Sequence, residues 1–433
     1  MLTEDMRFAK AIKRTIIMIR KVKGTQDLLN LTLFNFIINQ AKKHFTEYNF
    51  KEISTPILET LELYKRSTGI ETEVVTKQMF KVEANKGDEQ IVLRPEATPS
   101  IIRAFIEDTA QQVPWKVFTW GPMFRYERPQ KGRYRQFTQI SIEVIGSEAI
   151  SQDAQFIKML DRFFHEKLRL SNYALILNFL GCFEDRKAYR VLLKQFLDNS
   201  ERDLCKECKV RKEHNILRIF DCKNPDCQKI YKDAPFITDN LCKACAHEWE
   251  LLKDQLALLS VSFVVQPSLV RGLDYYSKTV FEFVSDSLGS QSAFCGGGRY
   301  NRLVSQLGGK EDQPSIGAAP GVERLLLLLD QIKETLPLEQ APALHLILPI
   351  EEKQNMLALL LAENLQSHGL CTDILLDEGS IKSKMRKANK MGAAFVLILG
   401  PEEQEKKMVT VKNMITGESQ QILQIDLIEY IKK

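Results

Sequence analysis

The chain has 433 residues, a formal net charge of +4, and 44% hydrophobic and 27% charged residues. This length allows two or three domains with their own cores, and the composition is typical of a globular protein in water. No apolar run approaches the ~20 residues of a membrane-spanning helix, and no secretory signal is visible. We therefore expect a cytoplasmic protein with no membrane partner, whose nine cysteines are free thiols or metal ligands. The weakly basic charge permits a nucleic-acid partner but does not demand one.

The N-terminal region predicts a long helix followed by a strand. Residues 1–17 are interpreted as an extension created by an upstream start, and a short basic helix that contacts RNA is the alternative. Apolar residues recur at helical spacing from Leu28 to Tyr48, with Asp27 placed to cap the first turn. The strand Phe50–Leu58 contains Pro56. Proline cannot donate to a sheet, so this strand is expected at an edge or an interface.

The segment Val92–Thr98 is predicted to end a strand and to open a helix at Pro99. Glu96 and Thr98 offer oxygen acceptors at the strand end, where functional side chains gather. The alternative is that Thr98 only caps the helix, because threonine before a proline is a good helix start signal.

A basic β-hairpin is predicted between Phe124 and Glu143. Five cations surround its Pro129–Gly132 turn: Arg125, Arg128, Lys131, Arg133 and Arg135. Gln139 and Glu143 share one face of the strand that follows, since alternate residues of a strand point to the same side. Such a fork of guanidiniums suits a polyphosphate, and the interleaved aromatic residues offer a ring on which a base can stack. The alternative is a solvated basic hairpin.

Residues 182–250 are charged, helical in pattern and rich in cysteine, and we interpret them as an inserted subdomain. Three cysteine pairs occur at short spacing: Cys205-x-x-Cys208, Cys222-x4-Cys227 and Cys242-x-x-Cys245. The first and last pairs predict one structural zinc site of four thiolates, because a two-residue gap lets both cysteines reach a tetrahedral ion. The middle pair supplies substitute ligands. Buried or idle thiols are the alternative.

A second chemical centre follows the insertion. Arg271-Gly-Leu-Asp-Tyr275-Tyr276 combines a guanidinium with two phenols, and the three glycines within Cys295–Tyr300 let the backbone approach a ligand. Gly317–Arg324 predicts a strand, a tight turn and a helix with an arginine in its first turn.

The C-terminal region reads as a small α/β domain at 344–433, after a linker at 331–343. Three predicted strands alternate with two predicted helices: Leu344–Leu348, Glu351–His368, Cys371–Leu376, Ser380–Lys390 and Phe395–Leu399. This alternation predicts parallel strands. A hairpin at Thr416-Gly417 and a last helix complete the domain.

The hairpin resembles motif 2 of the class II aminoacyl-tRNA synthetases, and the segment from Arg271 to Tyr276 resembles one confined to the histidyl enzymes. The helix–strand pair with Pro56 is similar to motif 1, and Gly317–Arg324 is similar to motif 3. The resemblance implies an α+β catalytic core on a mostly antiparallel sheet at 18–330, with the helical, cysteine-rich insertion inside it. It further implies a C-terminal α/β anticodon-binding domain and a homodimer.

The resemblance also implies roles for individual residues. Arg125 and Arg271 would be catalytic. Histidine would be bound by Glu96, Thr98, Arg125, Gln139, Glu143, Arg271, Tyr275 and Tyr276. ATP, which arrives with Mg²⁺, would be bound by Arg125, Glu127, Arg133, Phe137 and Arg324. The acceptor end of a histidine-specific tRNA would meet Arg128 and Gln130.

Three other interpretations deserve comparison. A catalytically silent paralogue that regulates ATP phosphoribosyltransferase usually loses the C-terminal domain and the segment around Arg271, and this chain has both. Another class IIa synthetase would not explain Glu143 together with the two tyrosines. A plain RNA-binding zinc protein would not explain three ordered ATP-site motifs. At Asn301-Arg302 the chain departs from the family pattern, so no role is assigned there.

Overall fold

The computed structural model describes residues 19–69, 72, 74–83, 89–108, 111–199, 203–376 and 378–432. The predicted extension at 1–17 lies outside these residues. The chain divides into two compact units between Leu338 and Glu339, a position inside the linker predicted at 331–343.

The first unit combines eleven strands with ten helices among its described residues. The strands are β1 (Lys51–Glu52), β2 (Leu58–Thr60), β3 (Phe80–Val82), β4 (Ile91–Leu93), β5 (Trp115–Phe124), β6 (Gln136–Ile145), β7 (Ala174–Phe179), β8 (Val264–Val265), β9 (Ser277–Val284), β10 (Ala293–Arg299) and β11 (Ser315–Pro320). The helices are α1 (Thr32–Glu47), α2 (Leu61–Thr68), α3 (Thr98–Glu107), α4 (Ile150–Arg162), α5 (Phe183–Asn199), α6 (Lys206–His214), α7 (Pro225–Tyr231), α8 (Lys243–Leu258), α9 (Leu303–Gln306) and α10 (Val322–Leu329).

Eight of these strands form one sheet in the order β1-β5-β6-β11-β10-β9-β7-β8. Only the edge pairs β1–β5 and β7–β8 are parallel, and the other neighbours are antiparallel. This confirms the mostly antiparallel core. The other three strands form a separate small sheet in the order β2-β4-β3.

Alternation along β6 separates the core of this unit from its functional face. Ile140, Ile142 and Val144 are fully buried in a hydrophobic cluster to which α1, α4 and α10 contribute. Gln139 and Glu143 therefore point to the opposite side of the sheet. The core side is rich in aromatic contacts, each worth about 0.5–1.5 kcal/mol beyond the area it buries. The sheet thus packs one hydrophobic cluster on this side, and on the other side it supports polar side chains beside a second hydrophobic cluster that includes Ile145.

Two predictions near the N-terminus are wrong in detail. The strand predicted at Phe50–Leu58 is not continuous: β1 joins the eight-stranded sheet and β2 the small one. Pro56 lies between them and has no N–H to continue a ladder. Asp27 does not cap α1, since the helix begins at Thr32 and the Thr32 N–H donates to the Asn30 side chain at 2.9 Å.

The second unit has a five-stranded sheet in the order β13-β12-β14-β15-β16. Its elements are β12 (His345–Pro349), α11 (Asn355–Ser367), β13 (Thr372–Ile374), α12 (Ile381–Lys390), β14 (Phe395–Leu399), α13 (Pro401–Glu405), β15 (Met408–Asn413), β16 (Ser419–Leu423) and α14 (Leu427–Lys432). The first three strands of the order are parallel, as the alternation predicted, and the last two add antiparallel pairs. Within the described parts of both units, no helix is long and apolar enough to cross a bilayer.

Candidate active site

One cavity of about 330 Å³ opens on the polar side of the eight-stranded sheet. This volume is at the lower end of the range for small-molecule sites. The predicted residues in its wall are Glu96, Thr98, Arg125, Glu127, Arg133, Phe137, Gln139, Arg271, Tyr275, Tyr276 and Arg324. Glu143 lies fully buried behind this wall, and Arg128 and Gln130 are exposed at the tip of the hairpin.

The β5–β6 hairpin supplies the first cations of the cavity. Its strands pair continuously from Trp115 opposite Ile145 to Phe124 opposite Gln136, which fixes the residues just beyond the strand ends. The Arg125 Nε donates to the Pro95 carbonyl at 2.9 Å, and its guanidinium lies 5.3 Å from the centre of the Phe137 ring. The hairpin thus presents a held guanidinium beside an aromatic face.

Arg271 supplies a cation from the opposite side of the cavity. Its guanidinium pairs with Glu282 of β9 and lies 5.6 Å from the centre of the Tyr276 ring. A Cβ on Gly296 of β10 would overlap that guanidinium, so a larger residue there would displace the Arg271 side chain from its present position. Burial by itself would lower the pKa of Arg271, but Glu282 and the neighbouring tyrosines raise it above its usual value. The Nε of Arg271 is buried and has no hydrogen-bond partner among the described residues.

Glu323 and Arg324 lie in the first turn of α10 and line the cavity near the hairpin turn. The Arg324 Nε donates to the Gly132 carbonyl at 3.1 Å. Burial lowers the pKa of Arg324, and the nearby guanidiniums of Arg133 and Arg125 lower it further. Both carboxylate oxygens of Glu323 accept the Thr138 N–H, at 2.8 and 2.9 Å. Arg324 thus belongs to a concentration of positive charge that a polyanion would relieve.

Glu96 forms the polar floor of the cavity. The Tyr275 hydroxyl donates to its Oε2 at 3.2 Å, while its Oε1 is buried without a partner in the described structure. The Oε1 of Gln139 is likewise buried and unpartnered. Burial raises the pKa of Glu96 to about 7, although Arg125, Tyr275 and Arg271 oppose the shift. Two unsatisfied acceptors in the lining of one cavity suit a ligand with several N–H donors.

Glu143 is held between two hydroxyl groups behind this floor. The Thr98 Oγ1 donates to its Oε1 at 2.6 Å, and the Tyr300 hydroxyl donates to its Oε2. Thr98 is the first residue of α3, and Ala97 occupies the N-cap position. A Cβ on Gly317 of β11 would overlap the Glu143 carboxylate. Burial raises the pKa of Glu143 to about 8, against the two hydrogen bonds.

The buried Glu143 should make stability depend on pH. Its pKa rises from 4.5 to about 8 on folding, so between these values the folded chain binds more protons than the unfolded chain. The free energy of unfolding therefore falls as pH rises through this window, by about 1.4 kcal/mol per pH unit for a fully shifted group. We measure the free energy of unfolding by urea titration at pH 5 and at pH 8. Between these pH values, the Glu143→Gln protein should lose less of this free energy than the unsubstituted chain, by a few kcal/mol. Exposed Glu184→Gln is the control, and an equal loss in all three proteins would contradict the assignment.

The cysteines of the insertion form two groups, not the predicted single one. The four-thiol group consists of Cys205, Cys208, Cys222 and Cys227, whose Sγ atoms lie within 4.8 Å of one another. Cys242 and Cys245 instead lie together with Cys182 and Asp185. The predicted ligand set Cys205, Cys208, Cys242 and Cys245 is therefore wrong. The reason is that Cys245 lies in the first turn of α8, which packs into the hydrophobic cluster around α1 and α4, whereas Cys208 of the first pair and Cys227 of α7 belong to the other cluster.

Four residues of this region were not found from the sequence: Arg218, Glu282, Tyr300 and Glu323. Glu282 had a usable signal, because it interrupts the apolar run Val280–Val284. Tyr300 lies two residues after the glycine run, and Glu323 directly precedes Arg324, which the sequence assigns to ATP. Arg218, which lines the cavity, is the single charged residue in the run Ile216–Phe220, and nothing local links that run to the cavity.

Comparisons with known proteins cover both units. A family model described as histidyl-tRNA synthetase matches residues 34–325, and one described as anticodon binding domain matches 345–433. The histidine–tRNA ligase of Halothermothrix orenii is 42% identical over 420 residues, covering 96% of this chain and 99% of that protein. The ligase of Clostridioides difficile is 38% identical over 415 residues, covering 95% and 98%. The crystal structure of apo S. aureus histidyl-tRNA synthetase has 34% identity and a TM-score of 0.78, covering 96% of this chain and 100% of that one.

Proposed function

The chain belongs to the histidyl-tRNA synthetase family, and from that premise we propose how its cavity joins L-histidine to tRNA. ATP and histidine first give histidyl-adenylate and pyrophosphate, and the histidyl group then passes to the 3′ end of the tRNA. The observation that carries the proposal is a single cavity that holds the guanidiniums of Arg125, Arg133, Arg271 and Arg324 beside a buried carboxylate–phenol group.

Arg125 and Arg271 are the catalytic residues of the first step. A carboxylate oxygen of histidine forms a bond to the α-phosphorus of ATP, and the bond from that phosphorus to the pyrophosphate oxygen breaks. Two guanidiniums on opposite walls hold the reacting groups in place and balance the charge that develops on the phosphate oxygens. The unpartnered Nε of Arg271 supports an anion at this position. No covalent enzyme intermediate is needed.

The remaining ATP contacts lie along the hairpin. Arg133 and Arg324 hold the outer phosphates, Phe137 stacks on the adenine, and Glu127 faces the base. A Mg²⁺ ion that arrives with ATP would offset the charge of the phosphates and would need few protein oxygens. Glu127 and Glu282 put carboxylate oxygens in the cavity wall, which fits such an ion.

The histidine end of the site rests on the unsatisfied acceptors. The α-ammonium group donates to Glu96 and Gln139, whose Oε1 atoms lack partners, and to Thr98. Glu143, Tyr275 and Tyr276 surround the imidazole. The two hydroxyl groups that bond Glu143 use only part of its acceptor capacity, since a carboxylate has about four lone-pair sites.

The tRNA and a second copy of the chain complete the proposal. Arg128 and Gln130 are exposed at the hairpin tip, where an acceptor end can reach them. The second unit reads the anticodon, and two copies form a dimer in the cytoplasm. Within the described residues nothing favours the regulatory role considered above, because the segment around Arg271 and the second unit are both in place.

The test is ATP–pyrophosphate exchange measured with each of the twenty amino acids. The same preparation is then used to charge total tRNA, and its mass in solution is measured by sedimentation. Exchange with histidine alone, transfer to tRNA and a dimer mass are the expected results. Absence of exchange from folded protein would favour the regulatory role. Exchange with a different amino acid would overturn the assignment of Glu143, Tyr275 and Tyr276 to the imidazole.

A further inference from the structure

The four-thiol group has the geometry of a tetrahedral metal site. The Sγ atoms of Cys205 and Cys222 are 3.8 Å apart. Zinc–sulfur bonds of about 2.3 Å in a tetrahedron require sulfur atoms about 3.8 Å apart, while a disulfide requires about 2.05 Å. Cys208, Cys222 and Cys227 are buried, so four thiols converge in the interior of a small helical segment.

Backbone groups around the thiols are already arranged to support thiolates. The Cys205 N–H donates to the Cys227 Sγ at 3.3 Å, and the Asn224 N–H donates to the Cys222 Sγ at 3.4 Å. Such hydrogen bonds orient metal ligands and stabilise their negative charge. Both acceptors belong to the Cys222/Cys227 pair, and the first donor belongs to the Cys205/Cys208 pair, so a backbone hydrogen bond joins the two pairs.

The segment between the two pairs reaches the active cavity. It consists of α6, Asn215 and a 3-10 helix at Ile216–Asp221. The Asn215 side chain donates to Asp274, the residue directly before Tyr275 and Tyr276. Arg218 lines the cavity, and a Cβ on Gly272 would lie 3.8 Å from its Nη2. Arg218 thus lies close to the backbone of Gly272, the residue that follows Arg271.

We propose that the four-thiol group binds one structural zinc ion, which closes the 205–227 loop and so holds Asn215 and Arg218 against the cavity. The second part of this proposal rests on the function proposed above. Four thiolates at the ends of a loop with few core residues of its own form a staple of the kind that small subdomains use in place of a large core. Arg218 then acts on a phosphate or on the position of its neighbours, and in both cases its own position depends on the zinc ion.

The second cysteine group is a matched comparison within the same chain. Its carboxylate is already engaged, since Asp185 accepts the Cys182 N–H at 3.1 Å and the Cys242 N–H at 2.9 Å. Cys242 is also exposed. We therefore assign no zinc to this group.

Metal content tests the first part without reference to activity. Full-length protein purified without chelator should contain one zinc per chain, and X-ray absorption should show four sulfur ligands at about 2.3 Å. Cys222→Ser/Cys227→Ser should lose that zinc, whereas Cys182→Ser/Cys242→Ser should keep it. Equal metal content in both variants, or nitrogen and oxygen ligands in the absorption spectrum, would overturn the site. The spectrum uses the unsubstituted chain, so it remains decisive where a variant does not fold.

Exchange activity tests the second part. Removing the zinc, by Cys222→Ser/Cys227→Ser or by a chelator that is dialysed away before Mg²⁺ and ATP are added, should lower kcat/KM for ATP–pyrophosphate exchange at least about tenfold, as for the loss of a charged hydrogen bond. Arg218→Ala should give a similar loss with its zinc retained. Full activity in zinc-free protein would overturn the link to the cavity. If the unsubstituted chain has zinc but no exchange activity, the proposed function fails and the metal site stands.

Discussion

Replacing Arg271 with alanine should lower kcat for ATP–pyrophosphate exchange by about 10²–10³-fold, the usual loss for one preorganised group that stabilises transition-state charge. Arg271 is partly buried, packs against Gly296, pairs with Glu282 and lies over the Tyr276 ring. Its position is therefore fixed before any substrate binds, and little reorganisation is needed during the reaction. The Nε that lacks a partner is the donor that would meet the α-phosphate.

Two further variants separate loss of charge from loss of geometry. Arg271→Lys keeps the charge but cannot reproduce the planar fork, so it should recover only part of the activity. Arg66→Ala, at an exposed arginine paired with Glu62 on α2, should leave exchange unchanged. The measurements are steady-state exchange and equilibrium binding of ATP, with the unfolding midpoint recorded for each protein. If Arg271→Ala weakened ATP binding while kcat stayed the same, Arg271 would be a ground-state ligand and not a catalytic residue.

Local sequence patterns accounted for the parts of the site that lie within one element. Alternation placed Gln139 and Glu143 on one face of β6, and the hairpin and the turn into α10 followed from proline, glycine and charge. Each of these inferences needs only the geometry of a single strand or turn. The mostly antiparallel sheet, by contrast, followed from the resemblance to class II enzymes, since several of its neighbouring strands are far apart in the chain.

Contacts between distant segments were not available from such patterns. The cysteine pairs illustrate this: C-x-x-C spacing identifies two ligands of one ion, but it does not say which other pair joins them. In the fold, Cys205 and Cys208 meet the nearer C-x4-C pair, and the distant pair meets Asp185. The same holds for glycines, because the fit of Gly296 to Arg271 and of Gly317 to Glu143 depends on strand register across the sheet.

Replacing Glu143 with glutamine should raise the Michaelis constant for histidine far more than the constant for ATP. Measured above pH 8, where Glu143 is ionised, loss of its charge-assisted hydrogen bond should cost about 1.5–3 kcal/mol, which corresponds to about 10- to 150-fold. Glutamine keeps the size of glutamate, so Gly317 and the two hydroxyl partners still fit around it. Equal changes in both constants would rule out the imidazole role and leave Glu143 as a structural residue.

Tyr300→Phe distinguishes direct contact from support. It removes the hydroxyl that donates to the Glu143 Oε2 but leaves the carboxylate and its charge. If Glu143 binds the imidazole, Tyr300→Phe should raise the constant for histidine less than Glu143→Gln does, and the double variant should resemble Glu143→Gln, because Tyr300 acts through it. If the two substitutions instead add, each hydroxyl or carboxylate contributes separately. The reason to expect the first result is positional: Tyr300 reaches the cavity beside Tyr275, at a ring distance of 5.7 Å, while its hydroxyl is committed to the carboxylate behind the wall. Histidine selection would then depend on a carboxylate held in place by two hydroxyl groups, and a ligand without ring N–H donors would leave that carboxylate incompletely satisfied.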